Sequence, residues 1–270
     1  APELLIAIEA IGDGAPGLAL GNVVGSNTAN VLLVLGVPAL LATFHTSACD
    51  TRKNYLFMIF ATMLFIATCF LGPITWIHGI VLLAALGLAL SDSFLEARTH
   101  RRNNKISCET GDDLEEIEGA DLDMPWWQIG MFLVLGLIGL PLGANLLVDG
   151  AVNIATRYGV SDTVIGLTLV AVGTSLPELA TTVMAAVRQQ ADVALGNVIG
   201  SNMFNLLAII GIASFVGDIP VSDQILTFDL WVMLATSLLL IPFVFFGKDI
   251  GKGWGAVLTT LYVIYIYSIL

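Results

Sequence analysis

Two glutamates stand inside apolar stretches, each directly behind a proline: Pro2-Glu3 and Pro177-Glu178. A carboxylate at the middle of a membrane-spanning helix costs about 2.5–3.5 kcal/mol on insertion scales, so it is placed against a cation, a proton or a polar partner. Proline removes one backbone N–H and crowds the carbonyl four residues back, which opens the helix. Before the second glutamate runs Ala171-Val172-Gly173-Thr174-Ser175, where Gly173 loosens the turn further. The carbonyl of about Ala171 and the hydroxyls of Thr174 and Ser175 are therefore expected to face a cation, as exposed carbonyls do in broken membrane helices.

A second set of oxygens lies close by in each half: Asn22, Ser26, Asn30 and Asn197, Ser201, Asn205. The i, i+4, i+8 spacing puts each trio on one helical face. Glycines Gly21 and Gly25, and Gly196 and Gly200, form G-x-x-x-G pairs; such pairs let another helix approach closely. Ca²⁺ takes 6–8 oxygens from carboxylates, carbonyls, amides and water. Glu3 and Glu178 could give four, and their two charges match one divalent ion. No cysteine or histidine is in the set, which disfavours a soft metal. The same oxygens suit Na⁺ when Ca²⁺ is absent.

These residues belong to a duplication. Ala19-Leu20-Gly21-Asn22-Val23-Val24-Gly25-Ser26-Asn27 returns 175 residues later as Ala194-Leu195-Gly196-Asn197-Val198-Ile199-Gly200-Ser201-Asn202, and 2–36 matches 177–211 without a gap at 15 of 35 positions. Internal repeats of this kind mark membrane transporters with paired half-sites.

The elements that must hold them are membrane helices. The chain is 57% hydrophobic and 12% charged, against roughly 45–50% and 25% in soluble domains. Apolar runs fall at about 17–43, 54–71, 74–95, 126–155, 161–187, 192–216, 225–246 and 252–270, with a shorter piece at 1–12; about 20 residues suffice to span a bilayer. The second motif is preceded by a full span and the start of another. By the same offset, one helix and half of the next are expected ahead of Ala1, making two sets of five. Five is odd, so the sets enter the membrane with opposite polarity. Lysine and arginine agree. Arg52, Lys53, Arg98, Arg101, Arg102, Lys105, Arg188, Lys248 and Lys252 fall on one side and only Arg157 on the other, which assigns the first side to the cytoplasm.

The fold expected is all-α, a polytopic transmembrane protein of two inverted-topology five-helix repeats, the first truncated at its N-terminus. Its divisions are 1–95, a cytoplasmic acidic loop at 96–124, and 125–270. Glu109, Asp112, Asp113, Glu115, Glu116, Glu118, Asp121 and Asp123 crowd that loop and account for much of the net charge of −12. They read as a solvated linker without EF-hand spacing. Basic residues are scarce, so no nucleic-acid partner is expected. Cys49, Cys69 and Cys108 have no paired spacing and give no disulfide or metal framework.

Gly-Thr-Ser-Leu-Pro-Glu (173–178), Gly-Asn-Val-Ile-Gly-Ser-Asn (196–202) and their first-half partners resemble the α-repeats of the sodium/calcium exchanger (cation/Ca²⁺ antiporter) superfamily, most of all its prokaryotic ten-helix members. The resemblance implies a central cluster of four cation sites and Na⁺-driven Ca²⁺ movement by alternating access. By position, Glu3 and Glu178 match the central Ca²⁺-binding glutamates, and Ser26, Asn30, Ala171, Thr174, Ser175, Ser201 and Asn205 match the surrounding ligands. Asn22 and Asn197 are secondary candidates. Some relatives carry Asp where this chain has Asn205, which leaves stoichiometry and K⁺ dependence open. Gly-Ser-Asn in place of a Gly-Asn followed by Glu favours Na⁺ over proton coupling. Ca²⁺ and Na⁺ are then substrates, no cofactor is expected, and the setting is a lipid bilayer, a prokaryotic plasma membrane. The rival readings are a cation/H⁺ exchanger, a channel, and an intramembrane enzyme built on Asp13, which sits in a Gly/Pro turn without a paired acid.

Glu9 is expected at an interface. Asp149, in the 126–155 span, is expected to pack or to line an ion path. His45, His78 and His100 are expected near loops, and Trp126, Trp127 and Trp254 at span ends.

Overall fold

A computed structural model describes residues 2–46, 51–104 and 125–270, and ten helices account for most of them. They are α1 (Pro2–Gly12), α2 (Pro16–Leu41), α3 (Arg52–Phe70), α4 (Trp76–Asn104), α5 (Trp126–Tyr158), α6 (Asp162–Thr174), α7 (Leu176–Val187), α8 (Ala191–Ala213), α9 (Ile225–Phe246) and α10 (Lys252–Ile269). Local chemistry sets their ends. Pro16 opens α2, where its fixed φ suits the first turn. The Ser161 hydroxyl accepts the Val164 N–H at 3.3 Å and caps α6. Gly247, at φ 58°, ends α9 in the left-handed conformation that glycine adopts without strain.

α2, α3, α8 and α9 are each long and apolar enough to cross a membrane. α6 and α7 make a further span, bent by 44° at Ser175, where Gly173 and Pro177 predict a break. α4 runs on to Asn104, nine residues past the boundary expected at 95. Most of the acidic loop, 105–124, lies outside the described residues, as do Cys49, Cys108 and the His100 side chain. Leu56, Phe60 and Met63 on α3, Ile80 and Leu88 on α4, and Val263, Ile264 and Tyr267 on α10 are exposed. So much apolar surface suits lipid rather than water.

α2 and α8 cross at the centre, antiparallel. The first half of α2 (Leu18 to Val24) shares one apolar cluster with the second half of α8 (Leu206 to Ala213). The second half of α2 (Ala29 to Ala39) shares the other with the first half of α8 (Ala191 to Ile199). Both helices widen into a π turn at equivalent residues, Asn30–Val34 and Asn205–Ile209.

Two isolated backbone bridges obey the same symmetry. Phe44 exchanges N–H···O bonds of 3.1 and 3.0 Å with Ile250, and Ile74 exchanges bonds of 2.9 and 3.0 Å with Ile219. Phe44 corresponds to Ile219 at the offset of 175, and Ile74 to Ile250 at 176. The duplication thus carries each bridge onto the other. α3 lies between residues 44 and 74, so the bridges sit at opposite ends of the bundle. A pseudo-two-fold axis that exchanges the ends must run across the helices, which is inverted topology.

Candidate cation site

The polar residues lie where α2 and α8 cross. Asn30 donates from Nδ2 to Ser201 Oγ at 3.2 Å and to Asn202 Oδ1 at 3.0 Å. Asn205 donates from Nδ2 to Ser26 Oγ at 3.1 Å. The Asn30–Ser201 and Asn205–Ser26 bonds are images of each other at the offset of 175, as an isologous contact requires. Ser26 in turn donates to the Val23 carbonyl at 3.2 Å.

The glutamates come from the helices flanking this crossing. Glu3 lies in the first turn of α1 and is 3% exposed. Glu178 lies in the first turn of α7 and is half-buried. Their carboxyls stand close enough to repel each other when both are ionised, and only a shared proton or a bound cation relieves that. Glu178 follows the break at Ser175, where the dipole of α7 favours a carboxylate.

Further bonds close a ring of helices. The Thr174 hydroxyl donates to Asn22 Oδ1 at 3.0 Å, tying α6 to α2. Asn197 Nδ2 donates to the Glu178 carbonyl at 3.3 Å and to Thr182 Oγ1 at 3.1 Å, tying α8 to α7. The eleven residues expected from the sequence therefore belong to one connected region. Ala171 is where the local expectation and the geometry part. Its carbonyl accepts the Ser175 N–H at 3.1 Å and the Thr174 hydroxyl at 3.2 Å, so it is not freed. Pro177 removes the donor four residues on from Gly173, not from Ala171.

Three buried oxygens of the set have no hydrogen-bond partner: Asn30 Oδ1, Ser175 Oγ and Glu178 Oε2. Buried polar atoms are rarely left so. An unsatisfied carboxylate oxygen beside two unsatisfied neutral oxygens suits an oxygen-seeking cation. Among the described residues no three His, Cys, Asp or Glu side chains cluster, so neutral oxygens must complete the shell. A cavity of about 170 Å³ opens beside the carboxylates, lined by Pro2, Pro177, Thr174 and, from α5, Gly139 and Gly143.

Asn27 and Asn202 are missing from the expected set. Both are 1% exposed. Asn202 Nδ2 donates to the Asn27 carbonyl at 3.2 Å, and Asn27 Nδ2 to the Val23 carbonyl at 2.7 Å. Their identity in the two copies was the available signal. Asp149 is exposed on α5, and His45 bonds to Asp249 at 2.9 Å near a loop.

The paired glycines differ between the copies. A Cβ on Gly21 would lie 2.4 Å from the Thr163 carbonyl oxygen, and one on Gly25 2.5 Å from that of Leu167. α6 therefore packs backbone to backbone on α2. A Cβ on Gly196 or Gly200 would meet nothing within 4 Å. The expected close approach holds for the first pair.

A family model described as sodium/calcium exchanger protein matches residues 1–94 and 128–270. The sodium/calcium exchanger MaX1 of Methanosarcina acetivorans is 33% identical over 298 residues, covering 98% of this chain and 83% of that protein. The putative antiporter CaxA of Alkalimonas amylolytica is 34% identical over 241 residues, 89% of this chain and 74% of that protein. Among solved structures, the sodium-calcium exchanger NCX_Mj soaked with 2.5 mM Na⁺ and 0.1 mM Ca²⁺ matches with a TM-score of 0.68 at 33% identity, covering 100% of this chain and 82% of that one.

Proposed function

The chain belongs to the sodium/calcium exchanger family, and on that premise we propose that it is an antiporter exchanging Na⁺ for Ca²⁺ at the crossing of α2 and α8. It is a transporter rather than an enzyme. The observation that carries the reading is the pair of touching carboxylates from opposite repeats, one oxygen of which is unpartnered, beside two more unpartnered buried oxygens on Asn30 and Ser175.

Glu3 and Glu178 supply the two charges that one Ca²⁺ neutralises. Asn30 Oδ1 and Ser175 Oγ extend the shell. Thr174, Ser26, Ser201 and Asn205 contribute by turning their oxygens from neighbours to the ion. Ala171 contributes only if its carbonyl releases the Thr174 hydroxyl. Asn22 and Asn197 hold α6 and α7 in place. Na⁺ ions occupy the same oxygens, so the two cations exclude each other, and exclusion at one site is what couples their opposite movements. The two-fold arrangement offers an ion equivalent surroundings from either end of the bundle, as alternating access requires. The cavity against α5 gives an entry beside both prolines.

The arrangement in the membrane belongs to the same proposal: 1–95 and 125–270 as repeats, 96–124 between them in the cytoplasm, and a prokaryotic plasma membrane as the setting. The Lys/Arg asymmetry supports it.

The test is ⁴⁵Ca²⁺ uptake into proteoliposomes holding the full-length protein, loaded with Na⁺ or with choline, with an imposed pH gradient as a third condition. Uptake that needs internal Na⁺ and is lost in Glu178→Gln is expected. Uptake that follows the pH gradient and ignores Na⁺ would make the protein a cation/H⁺ exchanger.

A further inference from the structure

We propose that Asp229, with Tyr265 and Gln224, forms a proton-binding site in the second repeat, separate from the cation site. Asp229 ends the π turn Ile225–Asp229 that opens α9 and is 0% exposed. Its Oδ1 accepts the Tyr265 hydroxyl at 3.0 Å. The Gln224 side chain also lies near the carboxyl. Its Oδ2 is buried and has no partner, and neither has the buried Tyr262 hydroxyl one turn back along α10 from Tyr265.

The duplication does not explain this acid. The π turns at Asn30 and Asn205 answer each other across the pseudo-two-fold axis. The one at Ile225 has no such counterpart among the described residues: either offset carries Asp229 into the first turn of α3, which is plain helix from Arg52. Either offset carries Asp229 onto Lys53 or Asn54, both exposed. π turns concentrate at functional positions, and a buried carboxylate within a span is a candidate functional group.

The chemistry selects the ligand. Among the described residues no cation faces Asp229. α2, packed against α9, has no titratable side chain between Pro16 and Leu41. On α3, Arg52 donates to the Phe245 carbonyl and Lys53 pairs with Asp92 at the far end of α9, while Tyr55 donates to the Ser237 carbonyl. On α10, Tyr262 and Tyr265 are neutral phenols, and Lys252 lies at the opposite end. Asp218 and Asp223, in the turn before α9, are exposed acids. One carboxylate, a phenol and an amide offer too few oxygens to dehydrate Na⁺ and too little charge for Ca²⁺. A proton needs one oxygen, and Oδ2 is the one left over. It removes the charge that burial opposes.

The site adjoins the transport helices. Tyr265 stacks on Phe228 at 6.4 Å. Together they line a groove of about 390 Å³ that reaches Leu32, two residues beyond Asn30 in its π turn. Ionising Asp229 would loosen α9 and α10 against α2, so exchange should fall as the solution on the 217–224 side becomes alkaline.

The direct test is infrared difference spectroscopy of the reconstituted full-length protein across a pH step. It does not depend on the exchange reading. A protonated-carboxyl C=O band that is lost at alkaline pH and missing in Asp229→Asn is expected. The same bands in wild type and Asp229→Asn would overturn the proposal. Tyr265→Phe covers the case in which Asp229→Asn does not fold: the band should persist but move in frequency, and an unmoved band would also overturn it. In a parallel uptake assay, Asp229→Asn should keep near wild-type exchange at neutral pH and escape the alkaline fall. An unchanged alkaline fall would show that Asp229 does not cause it.

Discussion

The two copies of the motif make the same oxygens but live in different surroundings. On α2, Gly21 and Gly25 are pressed against the backbone of α6, and Glu3 on the neighbouring α1 is 3% exposed. On α8, no described residue lies within 4 Å of where a Cβ on Gly196 or Gly200 would stand. The amides differ too. Asn197 reaches Thr182, whereas the equivalent of Thr182 is Ala7, and the Asn22 amide nitrogen has no partner. A duplicated sequence thus fixes which atoms can bind an ion. Which partners hold those atoms is decided by positions that the copies do not share, such as Thr182 and Ala7.

Variants can break or sharpen this contrast, and the carboxylates come first. Glu3→Gln and Glu178→Gln should each remove exchange by about 100-fold or more, because loss of a directly bound charge exceeds the 10–100-fold typical of outer-shell changes. Equal losses from unequally buried residues would show that the ion, not the enclosure, sets their weight; initial rates of ⁴⁵Ca²⁺ uptake decide.

Gly25→Ala comes next. Overpacking usually costs about 1–3 kcal/mol, and a contact with backbone rather than a flexible side chain puts this variant at the upper end. Gly200→Ala in residues 1–270 should cost less than about 0.5 kcal/mol, since alanine is the better helix former. Thermal unfolding in detergent compares them. A large loss for Gly200→Ala in a longer chain would mean that a helix from outside residues 1–270 fills that face.

Asn30→Ala strips donors from Ser201 and Asn202 and should cost about 1–3 kcal/mol in buried polar groups left unpaired. Weaker Ca²⁺ binding should accompany the lowered unfolding temperature.

The smallest effect is the most specific. Thr182→Ala copies the first half-site into the second and should cost about 1 kcal/mol, the worth of one hydrogen bond. Ala7→Thr should return part of that to Asn22. An unchanged unfolding temperature in Thr182→Ala would mean that the Asn197 bonds are not what holds α8 to α7.

Most of the architecture was legible because hydropathy and charge report directly on membrane spans. The break at Ser175 followed from Gly173 and Pro177, and the shared polar face of α2 from the spacing of Asn22, Ser26 and Asn30. Other features were out of reach for physical reasons. α4 extends to Asn104 because a helix need not stop where its apolar run stops. The Ala171 carbonyl is occupied because the Thr174 hydroxyl turns back on it, a rotamer choice that spacing does not encode. Asp229 sits in an ordinary apolar run, and its burial depends on Tyr265, 36 residues away.

The central claim is that two glutamates from opposite repeats hold one shared cation. Equilibrium ⁴⁵Ca²⁺ binding to the purified full-length protein, with Na⁺ as competitor, tests it most directly. Wild type should bind Ca²⁺ and release it as Na⁺ is added, and Glu3→Gln and Glu178→Gln should each lose that binding alone. Na⁺-sensitive Ca²⁺ binding that survives in either variant would contradict a shared site.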